Sequence, residues 1–539
     1  MKLHWPDLIA GLALSGLVLP EAVAYAGIAG LPPLSGLLGA LAGLTVYGLF
    51  GGSRFAIVSA TSSSAAVLAA ALHTMTHGPG LQALELSAAT VMMAGLLFMA
   101  CSALQLGGLA QYIARPVVRG FSLGIAVVIS AKQLAKLCGL HTANTALGPL
   151  LMELFAKRAQ WHGTSLLFGV VALALLILLR RWPRIPGTLV VLVLAVVCLP
   201  MLGAHGAGVA LVGKIELTDA HARVPALQIQ QWTRAAELSL ALMLILFAES
   251  YGAVRSCALR HGDSLNVNRE LLALGFANVA SGLFQGVPVG AGYSATYTNE
   301  SLGARSRLAG VAAAAGVAAA LWFLQGWVAQ IPEPVLAAIV IFAMRHAASL
   351  VPLRPYLVWK RDRLLMATAV ASVLVLGVLN GLIVSIAVSL VMLIRNLSRP
   401  RISVLGRLAN GHDFVSAAAH PDVVMVPGIL ILRPEEPLFF ANVEAMLDNA
   451  AARLAAAPST HTLVLSLEES PDLDGTAVEA LGQFAAQVRR TACELRLARL
   501  KDPVFEVLTT AAWIGMTGRA LSGGSVDAVV AAALGARSR

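Results

Sequence analysis

The sequence predicts an α-helical polytopic membrane protein built twice on one plan and followed by a small α/β domain. Three observations carry that expectation. Hydrophobic residues make up 58% of the 539 residues and charged residues only 12%, with a mean hydropathy of +0.78, so most of the chain belongs in lipid. The charge is unevenly divided: residues 1–410 sum to +15 and residues 411–539 to −5. Finally, a local pattern occurs twice. Glu21 lies in LVLPEAVAYAG with Ser59-Ala60-Thr61 after it, and Glu249 lies in LILFAESYGAV with Ser294-Ala295-Thr296 after it.

Repetition of this kind, with broken helices at corresponding places, is the mark of secondary transporters, whose substrate site lies where the repeats meet near mid-bilayer. The basic residues are read as topology signals rather than as a nucleic-acid surface. Arg54, Arg115 and Arg119, Arg180 with Arg181 and Arg184, Arg255 to Arg269, Arg305 and Arg307, Arg345 to Arg363 and Arg395 to Arg407 fall in alternate connections. The intervening connections are poorer in charge, as at 73–80 and 379–381. Exceptions at 132–162 and 203–235 carry Lys132, Lys136, Lys157, Arg158, Lys214, Arg223 and Arg234. The bias puts both ends in the cytoplasm, and the first apolar run lacks a cleavage pattern. Trp182, Trp232 and Trp359 suit interfacial belts. Cys101, Cys138, Cys198, Cys257 and Cys493 are scattered without metal-ligand spacing, so neither a disulfide framework nor a metal site is expected.

Past Arg399-Pro400-Arg401 the periodicity changes. VVMVPGILILRP (423–434) reads as two short strands, 442–457 as an amphipathic helix and 460–470 as a strand. Residues 475–491 read as a helix, 494–500 as a strand, and two helical stretches follow. The expected boundaries are a transport domain at 1–401, a linker at 402–420 and a cytoplasmic α/β domain at 421–539.

The stretches LPEAVAYAGIAGLPPLSGLL (19–38), YGLFGGSRFAIVSATSSSA (47–65), RPVVRGFSLGIAVVISAKQLAKLCG (115–139), NRELLALGFANVASGLFQGVPVGAGYSATYTNESLGARS (268–306) and PEEPLFFANVEAML (434–447) occur in one order. In them the chain resembles the SulP anion transporters, the sulfate permease superfamily, with a C-terminal STAS domain. The resemblance implies about fourteen membrane segments as two inverted repeats of seven, split into core and gate domains, and a homodimer. It also implies that the third and tenth segments are half-helices preceded by extended chain.

Helix N-termini offer unpaired backbone N–H groups and about half a positive charge, so two facing half-helices make an anion cradle without a basic side chain. Thr61, Ser62, Ser294 and Thr296 add hydroxyls, and Gly286, Gly290 and Gly292 allow extended backbone close to a substrate. Small polar residues also serve close helix packing, and both readings stand here. Glu21 and Glu249 are intramembrane carboxylates, which cost at least a few kcal/mol when ionised and so are paired, protonated or functional. They are candidate proton carriers, or structural groups bonded to backbone at a helix break. Tyr25, one turn after Glu21, lines the pocket or packs. In this resemblance Ala295 stands where many members have Arg, Glu21 stands where Gln is common, and Ser35 and Leu38 replace signature tyrosines. Gly475 occupies the phosphorylatable serine position of related STAS domains, leaving Thr476 as a regulatory candidate or a helix N-cap.

The expected function is secondary active transport of small inorganic anions of the sulfate type, coupled to protons, by movement of the core against the gate. Alternatives are bicarbonate or a dicarboxylate such as fumarate or succinate as substrate, a passive channel or exchanger, or a sensor whose STAS domain binds a cytoplasmic protein. No enzyme constellation, cofactor or nucleic-acid partner is expected. The expected location is the bacterial inner membrane.

Overall fold

A computed structural model describes residues 4–73, 81–108, 115–140, 147–182, 187–201, 208–213, 215, 217, 221–347, 354–408, 411–510 and 521–535. The charge-poor connection at 74–80, Lys214 and Arg184 lie outside the described residues. Two compact units are present, Met1–Ser389 and Leu390–Arg539.

The first unit opens with α1 (Trp5–Ala29) and α2 (Pro33–Phe50), followed by the short strand β1 (Val58–Ala60) and α3 (Ser62–His73). Gly30, with φ 74°, closes α1 in the left-handed conformation that glycine adopts without strain, and Pro33 starts α2 where a missing N–H costs nothing. Helices α4 (Leu81–Ala103), α5 (Arg115–Leu137), α6 (Leu147–Ala156), α7 (Gly163–Leu179) and α8 (Gly187–Met201) come next. The plan then returns: α9 (Ile229–His261) carries Glu249, α10 (Val267–Leu283) follows, and β2 (Val289–Ala291) leads into α11 (Tyr293–Ser301). The unit continues through α12 (Leu308–Phe323), α13 (Gln325–Ala329), α14 (Glu333–Ala347), α15 (Arg354–Val358) and α16 (Lys360–Leu376) into α17 (Val378–Leu397).

Among the described residues five helices are long and apolar enough to cross a bilayer by length and composition: α1, α2, α4, α5 and α9. Leu167, Val170, Val171 and Ile177 on α7 are exposed, as expected of a face that lipid covers.

Small residues set the packing, and they sort the helices into two bundles. In one, α1, α2, α4, α9, α10 and α12 pack together with α3 and α11. A Cβ added at Gly95 of α4 would lie 2.6 Å from the Val279 nitrogen, and one at Gly275 of α10 would lie 2.9 Å from the Gly95 carbonyl, so these two helices meet backbone to backbone. In the other bundle, α5 packs on α14 and α16, and α7 on α14 and α8.

The second unit is a five-stranded sheet in the order β4-β3-β5-β6-β7, from β3 (Ile402–Arg407), β4 (Phe414–Ser416), β5 (Ile429–Pro434), β6 (Thr462–Ser466) and β7 (Glu494–Ala498). Strands β5, β6 and β7 are parallel, with α18 (Val443–Ala455) and α19 (Gly475–Arg490) as crossovers. Alternation along β5 sends Leu430 and Leu432 into the core shared with α18 and α19. Ile429 and Ile431 go into the core on the opposite face, shared with Val526, Val529 and Val530 of the last helix.

Two sequence expectations need correction here. The segment 402–420 is not a plain linker, because β3 pairs antiparallel with both β4 and β5 and buries Ile402 and Leu405. Residues 423–434 form one regular strand rather than two: Val424 makes only an isolated bridge to Arg407, and Gly428 at φ 72° turns the chain before β5 begins. Strands rich in β-branched and leucine residues were legible, but a strand such as ISVLGR lacks strict alternation and hid in the charge change around it.

Candidate functional site

The two short strands cross at the centre of the first bundle. They pair antiparallel with Val58 opposite Ala291, Ser59 opposite Gly290 and Ala60 opposite Val289. Because the strands run in opposite directions, α3 and α11 leave opposite ends of the pair, each with its N-terminus at the crossing. Extended chain in a membrane protein must satisfy its backbone groups within the protein, and the groups that do so can be named. Asn278 of α10 donates to the Val289 carbonyl at 2.9 Å and accepts from the Val289 N–H at 3.0 Å. The Ser250 hydroxyl accepts from the Ala291 N–H at 2.9 Å. In the chain just before β1, Thr296 accepts from the Ile57 N–H at 3.3 Å, and Asn299 donates to the Phe55 carbonyl at 2.9 Å. Helices α9 and α10 thus hold β2, and α11 holds the chain that leads into β1.

At the start of α3 the candidate residues meet. The Thr61 hydroxyl donates to Glu249 Oε2 at 3.0 Å, and the Ser63 hydroxyl donates to the same oxygen. A carboxylate from α9 therefore occupies the hydroxyl-rich helix N-terminus where an anion is favoured. Tyr25, almost fully buried, lies within electrostatic reach of both Glu21 and Glu249, and Tyr293 within reach of Glu249. Gly292 faces Thr61, since a Cβ there would stand 3.6 Å from Thr61 Cγ2. Glu21 is buried and, among the described residues, accepts no hydrogen bond, although Pro20 beside it interrupts the helix ladder. The expectation that it would bond backbone freed at a break is not met.

Other candidates stand apart. Thr296 is wholly buried, with its hydroxyl taken up by the Ile57 N–H. Ala295 is buried as well. Ser294 is half-buried, and its carbonyl accepts from the Thr298 hydroxyl at 2.8 Å. Ser62 is half-buried as the first residue of α3. Glu300 is engaged at the far end of α11 by Arg260 at 2.6 Å and His261 at 2.8 Å.

Sequence reading did not single out Ser63, Ser250, Asn278 or Tyr293, nor Glu270, a buried carboxyl that takes a hydrogen bond from the Tyr47 hydroxyl. Asn278 offered a signal, being a lone amide in LLALGFANVA, whereas Glu270, next to Asn268 and Arg269, reads as an ordinary acidic residue in the first turn of a helix. Ser63 offered none, because three consecutive serines give no hint of which one faces α9. In the second unit, Thr476 is exposed in the first turn of α19, and the N-cap is Asp474, whose carboxylate accepts from the Ala477 N–H at 2.8 Å. Thr476 is therefore not the cap, and its hydroxyl faces solvent.

The sulfate permease family pattern matches residues 5–364, and the STAS domain pattern matches residues 420–513. The chain belongs to the sulfate permease family. It is 30% identical, over 95% of its length and 92% of the relative's, to a probable sulfate transporter of Mycobacterium tuberculosis. It is 26% identical to probable sulfate transporter 4.2 of Arabidopsis thaliana, over 95% of this chain and 78% of the relative. Its fold is that of the murine solute carrier 26 family member A9 anion transporter in the inward-facing state, with TM-score 0.91, 19% identity and coverage of 99% and 92%. The transmembrane domain of a cyanobacterial bicarbonate transporter also matches, with TM-score 0.64, 23% identity and coverage of 72% of this chain and 99% of that one. Family membership gives the crossing strands their context: the family is one of membrane transporters, and the polar clamps described above are this member's means of holding broken helices in lipid.

Proposed function

We propose that the protein is a proton-coupled secondary transporter of small inorganic anions of the sulfate type, working by alternating access. The observation that carries this reading is the Glu249 carboxylate held by the Thr61 and Ser63 hydroxyls at the α3 N-terminus. Those donors are the ones an entering oxyanion needs. A carboxylate that is ionised competes for them and repels the substrate, whereas a protonated one releases them without charge repulsion. Proton binding and anion binding are therefore favourable together, which is the thermodynamic content of symport. Glu21 and Tyr25 sit in the same field, and Glu21 is the second candidate for the proton.

The substrate-binding set is Tyr25, Thr61, Ser62, Gly292 and Ser294, with Ala295 and Thr296 lying behind the pocket wall. The bundle holding α3 and α11 is the moving core, and the bundle of α5, α7, α14 and α16 is the gate. Fourteen segments in two inverted repeats, both chain ends in the cytoplasm, an inner-membrane location and a homodimer complete the proposal. So does a boundary between transport domain and STAS domain near residue 401, with a cytoplasmic protein as partner of the exposed first turn of α19. Relatives bearing the name sulfate transporter, one at 30% identity over nearly the whole chain, favour sulfate over bicarbonate or a dicarboxylate.

Uptake of radiolabelled sulfate, bicarbonate and fumarate into proteoliposomes, with and without an inward proton gradient, tests the reading. Gradient-driven accumulation of sulfate is expected, and downhill flux indifferent to the gradient would replace it with a channel or exchanger. Two substitutions refine the site. Thr296→Val leaves the buried Ile57 N–H without its acceptor, at a cost of about 1–3 kcal/mol. The expected result is a lower melting temperature with sulfate affinity little changed, and a large loss of affinity at unchanged stability would put Thr296 in the pocket. Ala295→Arg puts a cation beneath the start of α11, and altered charge movement per sulfate is expected in solid-supported-membrane recordings. Unaltered currents would place position 295 outside the pathway.

A further inference from the structure

The second half-helix has a cation beside it that does not come from its own sequence. Arg119, in the second turn of α5, is half-buried, and its guanidinium carbon stands 5.3 Å from the ring centre of Tyr293. That distance is within the range over which a cation is attracted to an aromatic face. Tyr293 is the first residue of α11. Its ring is fixed from two sides. The hydroxyl fills the notch that Gly252 leaves on α9, where an added Cβ would collide with it, and the ring meets Tyr297 edge-on at 5.8 Å.

Arg119 is thus poised over the N-terminal residue of a helix whose first N–H groups are unpaired. Among the described residues it forms no ion pair with a carboxylate; its interaction is with the tyrosine ring. The Tyr293 hydroxyl abuts Gly252 of α9, three residues past Glu249, so the ring links the guanidinium to the helix that carries the carboxylate of the α3 site. Nothing in the sequence linked Arg119 to the site, because 174 positions separate it from Tyr293 and it reads as one more cytoplasmic topology residue.

We infer that Arg119 is the fixed cation of the anion site, supplied across the interface between the two bundles, and that it favours oxyanions able to accept two parallel N–H bonds. This rests on the reading of the crossing as an anion site. A guanidinium presents its donors as a rigid fork that matches an oxyanion bidentately, which an ammonium does not. It also explains how a chain with Ala295 at the start of α11 holds a multiply charged substrate. Because α5 packs on α14 and α16 whereas α11 packs on α9 and α1, the cation and the helix terminus belong to different bundles. Movement of one bundle against the other therefore makes or withdraws the cation. Anion affinity becomes dependent on which way the transporter faces, as a carrier that must release its cargo requires.

The test uses the purified full-length protein, with sulfate and bicarbonate titrated calorimetrically against wild type, Arg119→Gln and Arg119→Lys, and with Lys157→Gln as a charge control on a surface ion pair. Arg119→Gln should raise the sulfate Kd roughly tenfold to a hundredfold, the range for losing hydrogen bonds to a charged group, and should change bicarbonate less. Arg119→Lys should fall between the two, keeping the charge but losing the fork, and Lys157→Gln should match wild type. A sulfate Kd within about twofold of wild type in either Arg119 variant overturns the assignment. Should Arg119→Gln not fold, Arg119→Lys alone decides. A wild type that binds neither anion overturns the anion-site reading, and this assignment with it.

Discussion

Glu249→Gln should abolish concentrative uptake while leaving a folded protein that still exchanges anion downhill. The substitution is close to isosteric, and its amide oxygen can accept from the Thr61 and Ser63 hydroxyls as the carboxylate does at 3.0 Å from Thr61. Only the exchangeable proton and the negative charge are lost. For a carrier moving one proton per net charge-compensated step, each unit of pH difference drives about a tenfold accumulation. Wild type should therefore concentrate sulfate about tenfold per unit of inward gradient, and Glu249→Gln should not exceed equilibrium at any gradient. The same variant should bind sulfate more tightly at neutral pH, because the negative charge that repels the anion at the α3 N-terminus is gone. These two outcomes belong together: loss of coupling with gain of affinity identifies the carboxylate as the proton-linked competitor. If the pH gradient still drives accumulation in Glu249→Gln, the role passes to Glu21, whose buried carboxyl accepts no hydrogen bond among the described residues. Glu21→Gln in the same assay then decides.

Much of this site was legible in the sequence, for a definable reason. A carboxylate in an apolar helix is costly enough that its presence alone is a signal, and so Glu21 and Glu249 stood out, as did the repeated Ser-Ala-Thr, which ends β1 in the first copy and lies in the first turn of α11 in the second. Which hydroxyl meets which carboxylate was not legible. That depends on the rotation of α3 about its axis, set by packing against α1 and α9, and it favoured Ser63 over the neighbouring Ser62. Thr296 is placed unlike its counterpart. Its likeness to Thr61 in the repeat suggested a matching place in the pocket, yet it turns inward to hold the chain before the first strand at Ile57 while Thr61 reaches Glu249. The two copies share an architecture, but Thr61 reaches a carboxylate whereas Thr296 braces backbone. In the second unit the parallel strands followed from their apolar runs, whereas β3 and β4, an edge pair with half-buried residues, gave too little pattern to separate them from a linker.

Asn278→Leu should cost more than any pocket substitution, and it should do so without touching a pocket residue. Asn278 is wholly buried in α10, and its side chain makes a hydrogen bond in each direction with Val289 while donating a third to the Leu274 carbonyl at 2.9 Å. Leucine matches its volume and suits an apolar helix, so a packing argument predicts a neutral change. The hydrogen-bond argument predicts otherwise. The Val289 N–H and C=O would both be left unpaired inside the bundle, where water cannot replace the lost partner, at about 1–3 kcal/mol each. With β2 released from α10, the start of α11 would lose its position relative to Thr61 and Glu249, and the cradle would open. The expected result is a melting temperature in detergent lowered by several degrees, together with loss of sulfate binding. Asn278→Asp, which keeps the acceptor for the Val289 N–H but loses the donor to its carbonyl, should be intermediate. If Asn278→Leu melts and binds like wild type, the crossing strands are held by their own pairing with each other, and the polar clamp is dispensable.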